Sequence, residues 1–531
     1  MRQRRLLGIL TAACALAVSA CGGSAATGGS SGQGLVSGGT LTMAIPTDPG
    51  NLDPQQTSLS IDNLVAQFAY DPLIQESASG AIVSGLASAW RQSGNSVTFT
   101  LKKGATCSDG SRVTPSLIAD NISYVANPKN KSPLLGLDLP PGTTAHAGSA
   151  AGTVTLTWPQ PFPFALQALA GVPIVCPKGL ADRGTLAHKT DGTGPYVLSA
   201  AVPNSQYTYT IRKGYSWGPG GAATSARGMP AKVVLKVVSN ETTAANLLLG
   251  GQVNIALVTG SDRSRLTAAH LQHREALANL GEMEFNEAGG RATADENVRR
   301  ALVMALNLPQ LRQVISSGNG TASPGLVTLK PAPCPSSTVQ GHLPGQNLAA
   351  AQRLLTQAGW TPGPGGIRQK NGKKLALTLL YGSSFGTPAA DAAQLAAREW
   401  GKLGVQVHPQ GAPDTQISSV IFGTGAWDIG WVPLTIQFPS DAVPFFSGAV
   451  PPAGTNFGHI SNPVYQRLTT EAAAKPGTTG CPQWNQAEQA LYQRADVIPF
   501  AAQTEPYWAK NATFQLGNNG PIPTSVRLLG G

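Results

Sequence analysis

Residues 96–126 read SVTFTLKKGATCSDGSRVTPSLIADNISYVA, and this stretch sets the fold class. VTFTLK alternates apolar and polar residues, the period of a strand with one buried face. Ser108-Asp109-Gly110 supplies a turn, and Thr114-Pro115 opens a helix with Thr as N-cap and Pro at its first position. A strand, a turn and a capped helix in one short span predict an α/β architecture.

The same grammar extends in both directions. Upstream, TLTMAI (40–45) is an alternating strand that runs into PTDPGNLDP, a turn rich in Pro, Asp and Gly. Downstream, DGTGPYVLSA (191–200), QYTYTIRK (206–213) and KVVLKVVS (232–239) read as turn and strands. TTAANLLLGGQVNIALV (242–258) reads as a helix, a Gly-Gly stop and another strand. ENVRRALVMALNLPQLRQVI (296–315) and NLAAAQRLLTQAGW (347–360) carry the i, i+3, i+4 apolar spacing of amphipathic helices. LALTLLYG (375–382) is a strand, and AADAAQLAAREWGKLG (389–404) a helix ended by glycine. No solenoid or propeller period recurs. The expectation is α/β lobes with mixed sheets, and 531 residues call for two or three of them.

The amino terminus has a different grammar. MRQRR holds three arginines and no acid, and Leu6 to Val18 is an apolar run of thirteen residues. That is short of the roughly 20 residues a spanning helix needs, and it has the plan of an export signal. Val18-Ser19-Ala20-Cys21 follows and resembles the lipobox of bacterial lipoproteins, whose cysteine is acylated and whose chain is cut just before it. GGSAATGGSSGQG beyond it is a flexible tether. The mature protein is therefore expected on the outer face of the cytoplasmic membrane, anchored by a palmitate-type lipid on Cys21.

Without residues 1–20 the formal charge falls from +10 to +7, and only 12% of the residues are charged. No Lys/Arg run follows the signal, which argues against nucleic acid as a partner. Beyond Cys21 lie Cys107, Cys176, Cys334 and Cys481. An even number outside the membrane predicts two disulfides, in any of three connectivities, and the spacing fits no zinc motif.

Seven stretches, in order, carry a resemblance across nearly the whole mature chain: GGTLTMAIPTDPGNLDP (38–54), YDPLI (70–74), FTLKKGATCSDGSRVT (99–114), GTGPY (192–196), FNEAGG with NVRRALVMALN (285–307), AAQRLLTQAGW (350–360) and WDIGW (427–431). The sequence resembles the family-5 extracellular solute-binding proteins, the peptide, nickel and oligosaccharide receptors of ABC importers. The resemblance implies a two-lobed, periplasmic-binding-protein-like fold of type II, in three parts with mixed sheets and a hinge. Domain I would comprise 38–71, 190–283 and 505–531, domain II 72–189 and domain III 284–504, after a signal (1–20) and tether (21–37). It also favours Cys107–Cys176 and Cys334–Cys481, since each bond then stays within one lobe. Expected partners are a small solute such as a peptide, the ABC permease and, through the anchor, the membrane. The protein would act as a monomer, with no cofactor and no metal.

Peptide-binding relatives often place an aspartate a few residues after a Gly-Trp pair, where it meets the ligand's free amine. Here Gly430-Trp431 leads to Pro433 and Leu434, and the next acid is Asp441. A modified or larger peptide, an oligosaccharide or another solute thus stays open. Trp427, Trp431 and Phe438 are candidates for stacking on the ligand, and Tyr70 is a further one. Glu282 shares a strand face with Glu284 and is a candidate for a cationic group, although such a face more commonly meets solvent.

Other readings compete. GSSFG (382–386) fits the nucleophile-elbow pattern between a strand and a helix, with Asp428 and His459 following in hydrolase order. An anchored serine hydrolase using Ser384 is thus an alternative, though no oxyanion-loop segment precedes it. His270 and His273 share a helical face in AAHLQHREAL but lack further ligands. A signalling receptor of the same fold is the remaining alternative.

Overall fold

The computed structural model describes residues 34–148 and 152–530. Cys21, the signal and most of the tether lie outside the described residues. Among those described, no helix is long and apolar enough to cross a membrane.

The backbone of the molecule is an eleven-stranded mixed sheet that runs through two lobes. At one end Thr40–Ile45 lies between Lys232–Val237 and Ile255–Leu257, parallel to both, and the antiparallel pair Gln206–Ile211 and Tyr196–Val202 extends that edge. At the other end Ala376–Gly382 lies between Gln406–Ala412 and Ile429–Trp431, again parallel to both. Two long antiparallel strands, Gln272–Phe285 and Val497–Ala509, join the halves. Their far ends sit in separate cores: Tyr507 and Ala509 pack with Leu41, Met43 and Leu235, whereas Met283, Phe285 and Ile498 pack with Leu302 and Trp400. Between them the register slips at Asn279, Gly281 and Glu282. Gly281 is required there, because a Cβ would stand 2.5 Å from the Phe500 ring.

A four-stranded sheet, Ala87–Ser93, Ser96–Leu101, Thr153–Thr157 and Thr144–Ala147, is inserted after residue 72 with its own core around Val97, Phe99, Ile118 and Leu156. Its helix Pro115–Ala126 starts as the sequence predicts, Thr114 Oγ1 accepting from Leu117 N. The neck of the insertion is YDPLI against GTGPY. Asp71 is buried there and accepts from Thr193, Tyr215 and Trp217. Gly194 N donates to Ala69 O at 2.8 Å, too close for a side chain at Gly194.

Cys107–Cys176 and Cys334–Cys481 are both bonded. Near the termini Leu35–Val36 pairs antiparallel with Arg527–Leu529 on the outer edge of the amino-terminal lobe.

Two sequence expectations are corrected. Residues 296–315 form two helices, Glu296–Met304 and Leu308–Ile315, because Asn307 caps the second through Gln310 N and Pro309 sits in its first turn. His270 and His273 share no helix: Arg263–Ala268 ends before them, His270 has φ +53°, and His273 lies on the crossing strand against Trp508.

Candidate cleft between the lobes

The parallel strands of the amino-terminal lobe end together, which leaves a crevice beyond their carboxyl ends, the usual ligand position in open α/β sheets. A cavity of about 240 Å³ lies there, with Ile45, Val238 and Leu257 among its walls. Helix Glu241–Leu249 begins beside it, Asn240 Oδ1 capping Thr243 N at 2.8 Å. Gln503 and Glu505, from the crossing strand Val497–Ala509, close the remaining side. These two residues are half-buried and lie on the stretch between the two cores.

The chemistry of the lining is uneven. Glu241 spends both carboxylate oxygens inside the protein, one on Gly260 N and the other on Thr259 Oγ1 at 3.1 Å. Burial alone raises the Glu505 carboxyl above its ordinary range. Sequence reading missed Glu241, Gln503 and Glu505. The signal available for Glu505 was an acid within the apolar strand VIPFAAQTEPYWA.

The sequence-predicted residues fall elsewhere. Trp427 is wholly buried against Phe457 at 5.9 Å, and Trp431 is buried against Phe500 at 5.3 Å. Tyr70 is buried at the neck of the insertion, its hydroxyl accepting from Asp191 N at 3.2 Å. Glu282 and Glu284 do share a face, but that face is fully buried rather than solvated. Asn279 Nδ2 donates to Glu282 at 3.2 Å and Val432 N to Glu284 at 3.2 Å. Burial raises Glu282 far above its ordinary pKa, and the Glu284 charge raises it further; burial also raises Glu284.

Phe438 lies where the insertion meets the carboxy-terminal lobe. Its ring stacks on Phe164 of the insertion at 5.6 Å, and Trp484 flanks Phe164 at 6.2 Å. Gly477 N donates to Pro163 O at 2.6 Å beside them. Asp138 and Asp441 also meet across this boundary. Burial and the nearby Asp441 charge push Asp138 up to about 7, and burial pushes Asp441 up to about 6.

A second cavity, of about 230 Å³, lies at the far end of the carboxy-terminal lobe and is lined in part by Asn286, Arg291 and His459. Arg291 is committed to Asp428 at 2.8 Å and to Gly425 O. The other Asp428 oxygen accepts from Thr378 N at 2.8 Å. Ser384 lies in the turn Ser383–Phe385, and its side chain is outside what the structure describes. Among the described residues no group of three or more His, Cys, Asp or Glu is placed to hold a metal ion.

Two lobes on a pair of crossing strands, with a cavity beside those strands, define a solute-binding receptor of the periplasmic-binding-protein type. Residues 81–454 match Bacterial extracellular solute-binding proteins, family 5 Middle, and the chain belongs to that family. It is 26% identical over 525 residues to the periplasmic murein peptide-binding protein MppA of Escherichia coli, covering 92% of this chain and 93% of that one. Protein XP55 of Streptomyces lividans is 27% identical over 429 residues, 77% of this chain and 74% of the relative. Among solved structures, a substrate-binding protein of Microbacterium hydrocarbonoxydans complexed with 4-hydroxybenzoate hydrazide superposes with a TM-score of 0.71 at 25% identity, covering 92% of this chain and 99% of that one.

Proposed function

We propose that this protein is the membrane-anchored receptor of an ABC importer, capturing a peptide or peptide-like solute between its lobes and presenting it to the permease on closure. The observation that carries this reading is the cavity at the carboxyl ends of the amino-terminal strands, closed by Gln503 and Glu505 of a strand that enters both lobes. A solute held there touches the amino-terminal lobe and the crossing strand; contacts added by the second lobe on closure would make it bind the closed form better and shift the population toward it. The murein peptide named in one relative supports a peptide-like ligand. The hydrazide in the Microbacterium structure shows that a similar fold accepts a smaller solute, so an oligosaccharide or other compound remains a second outcome of the test.

In this reading Cys21 carries the lipid and holds the protein, as a monomer, on the outer face of the cytoplasmic membrane. Residues 72–189 form the inserted domain and 284–504 the closing lobe. Trp427, Trp431 and Tyr70 shape the lobes, and Phe438 acts at their contact. The serine hydrolase reading is disfavoured because Asp428 is spent on Arg291 and Thr378.

The test is native mass spectrometry of the mature chain, followed by release and fragmentation of the bound species. A stoichiometric solute supports the receptor, whereas an empty chain that responds to no peptide, glycan or metal panel overturns it. A fluorophosphonate that labels Ser384 would establish the hydrolase instead. Loss of palmitate incorporation in Cys21→Ser tests the anchor.

A further inference from the structure

Resting on the receptor reading above, we propose that the solute carries a cationic group, an ammonium or a guanidinium, and that Glu505 is the residue that selects it. Glu241 and Glu505 are the charged residues of the cavity lining. The Glu241 carboxylate is consumed by Gly260 N and Thr259 Oγ1. Among the described residues nothing donates a hydrogen bond to the Glu505 carboxylate or pairs with it, and burial without a compensating partner is what shifts its proton equilibrium.

The surrounding chain sharpens the point. The protein has 37 Lys and Arg against 27 Asp and Glu, so a cavity wall drawn at random would sooner carry a cation than an unpaired acid. The arginine that reaches this strand is Arg263, which donates to Thr504 Oγ1 at 3.0 Å and to Glu275 at 3.2 Å. Thr504 and Glu505 are consecutive in the strand and point to opposite faces, so Arg263 serves the face away from the cavity. Gln503, two residues before Glu505, shares the cavity face and adds an amide.

A half-buried carboxylate without a partner is unfavourable, and a bound cation makes it one half of a charge-assisted hydrogen bond. The position also matters. Glu505 sits opposite Ala276 in the crossing pair, between the two cores, so its partner is held where the lobes turn on one another.

The test is calorimetric titration of the mature chain, stripped of bound solute and refolded, with two blocked tripeptides. One is acetyl-Ala-Lys-Ala-amide; the other carries Nε-acetyl-lysine at the same place and lacks only the charge. The charged peptide is expected to bind at least tenfold more tightly, Glu505→Gln to abolish that preference, and Glu505→Asp to restore part of it. Equal affinities, a preference for the neutral peptide, or a preference that survives Glu505→Gln would overturn the proposal. If neither peptide binds, the co-purified solute decides: an ammonium or guanidinium compound supports the proposal and a neutral or anionic one refutes it. Absence of any solute by both routes removes the receptor reading itself, and this proposal with it.

Discussion

Glu282 and Glu284 show how a single side chain can set the working pH of a lobe. Burial pushes Glu284 up to about 8, and burial together with the Glu284 charge raises Glu282 well above its ordinary range. A folded-state pKa above the unfolded value means that the neutral acid stabilises the fold. That contribution is complete at low pH and is lost as pH rises through the folded value. Glu284→Gln keeps the neutral shape at every pH, so its stability should match the wild type near pH 5 and exceed it by about 1–3 kcal/mol above pH 9. Urea unfolding across that range measures the difference, and parallel curves would refute it. The alternation that puts both acids on one face was legible in LGEMEFN, but their burial was not. Polar letters on a strand read as solvent-facing until the layer above them is known. Trp427 and Trp431, the stacking candidates of the sequence, are likewise buried. Ile429–Trp431 is an internal strand, covered on both faces, so aromatic residues there become core.

At the scale of elements, the crossing strands and the contact beside them connect the lobes. Gly281→Ala would press a methyl group into the Phe500 ring at the bulge. It should lower stability by about 1–3 kcal/mol and alter closure, read by calorimetry and by the radius of gyration with and without solute. Phe164→Ala should leave both lobes folded but increase the open population, because the Phe438 and Trp484 surfaces lose their cover. Roughly 1.5–3 kcal/mol of contact is at stake, enough to expand the solute-free molecule in X-ray scattering. An unchanged scattering profile would exclude this contact as a determinant of closure. Most elements were readable from periodicity and caps, as Thr114-Pro115 and TLTMAI show. The split at Asn307-Leu308-Pro309 was also written in the chain, since an N-cap residue and a proline inside a periodic run mark a restart. The hinge cavity was not legible, because its walls come from strand ends separated by hundreds of residues.

For the whole molecule, Asp138 of the insertion lies within electrostatic reach of Asp441 of the carboxy-terminal lobe, so a closure that relies on this boundary would acquire a pH dependence. Burial and the Asp441 charge raise Asp138 to about 7, and burial raises Asp441 to about 6, so the neutral forms favour this packed boundary. Closure should be strongest in mild acid and weaken as pH rises through 6 to 7. Asp138→Asn should remain closed at pH 8, as judged by energy transfer between dyes on the two lobes; a wild-type signal flat from pH 5 to 8 would refute the coupling. The Cys334–Cys481 bond encloses a separation of 147 residues. Replacing both cysteines with serine should cost about 2–5 kcal/mol in the carboxy-terminal lobe, measured as a lowered Tm for that transition.

The small sheet in which Leu35–Val36 pairs with Arg527–Leu529 decides where mechanical load enters the body. In the anchored reading proposed above, a pull on the chain at Gly34 would act on the edge of one lobe, against a core that includes Leu41, Phe514 and Leu528. The line of tension does not pass through the strands on which the lobes rotate. If Cys21 anchors the chain as proposed, jolts arriving at Gly34 would tow the body as a unit and do little work on the jaws. In that arrangement the grip on a captive would be insulated from the drag of the surface.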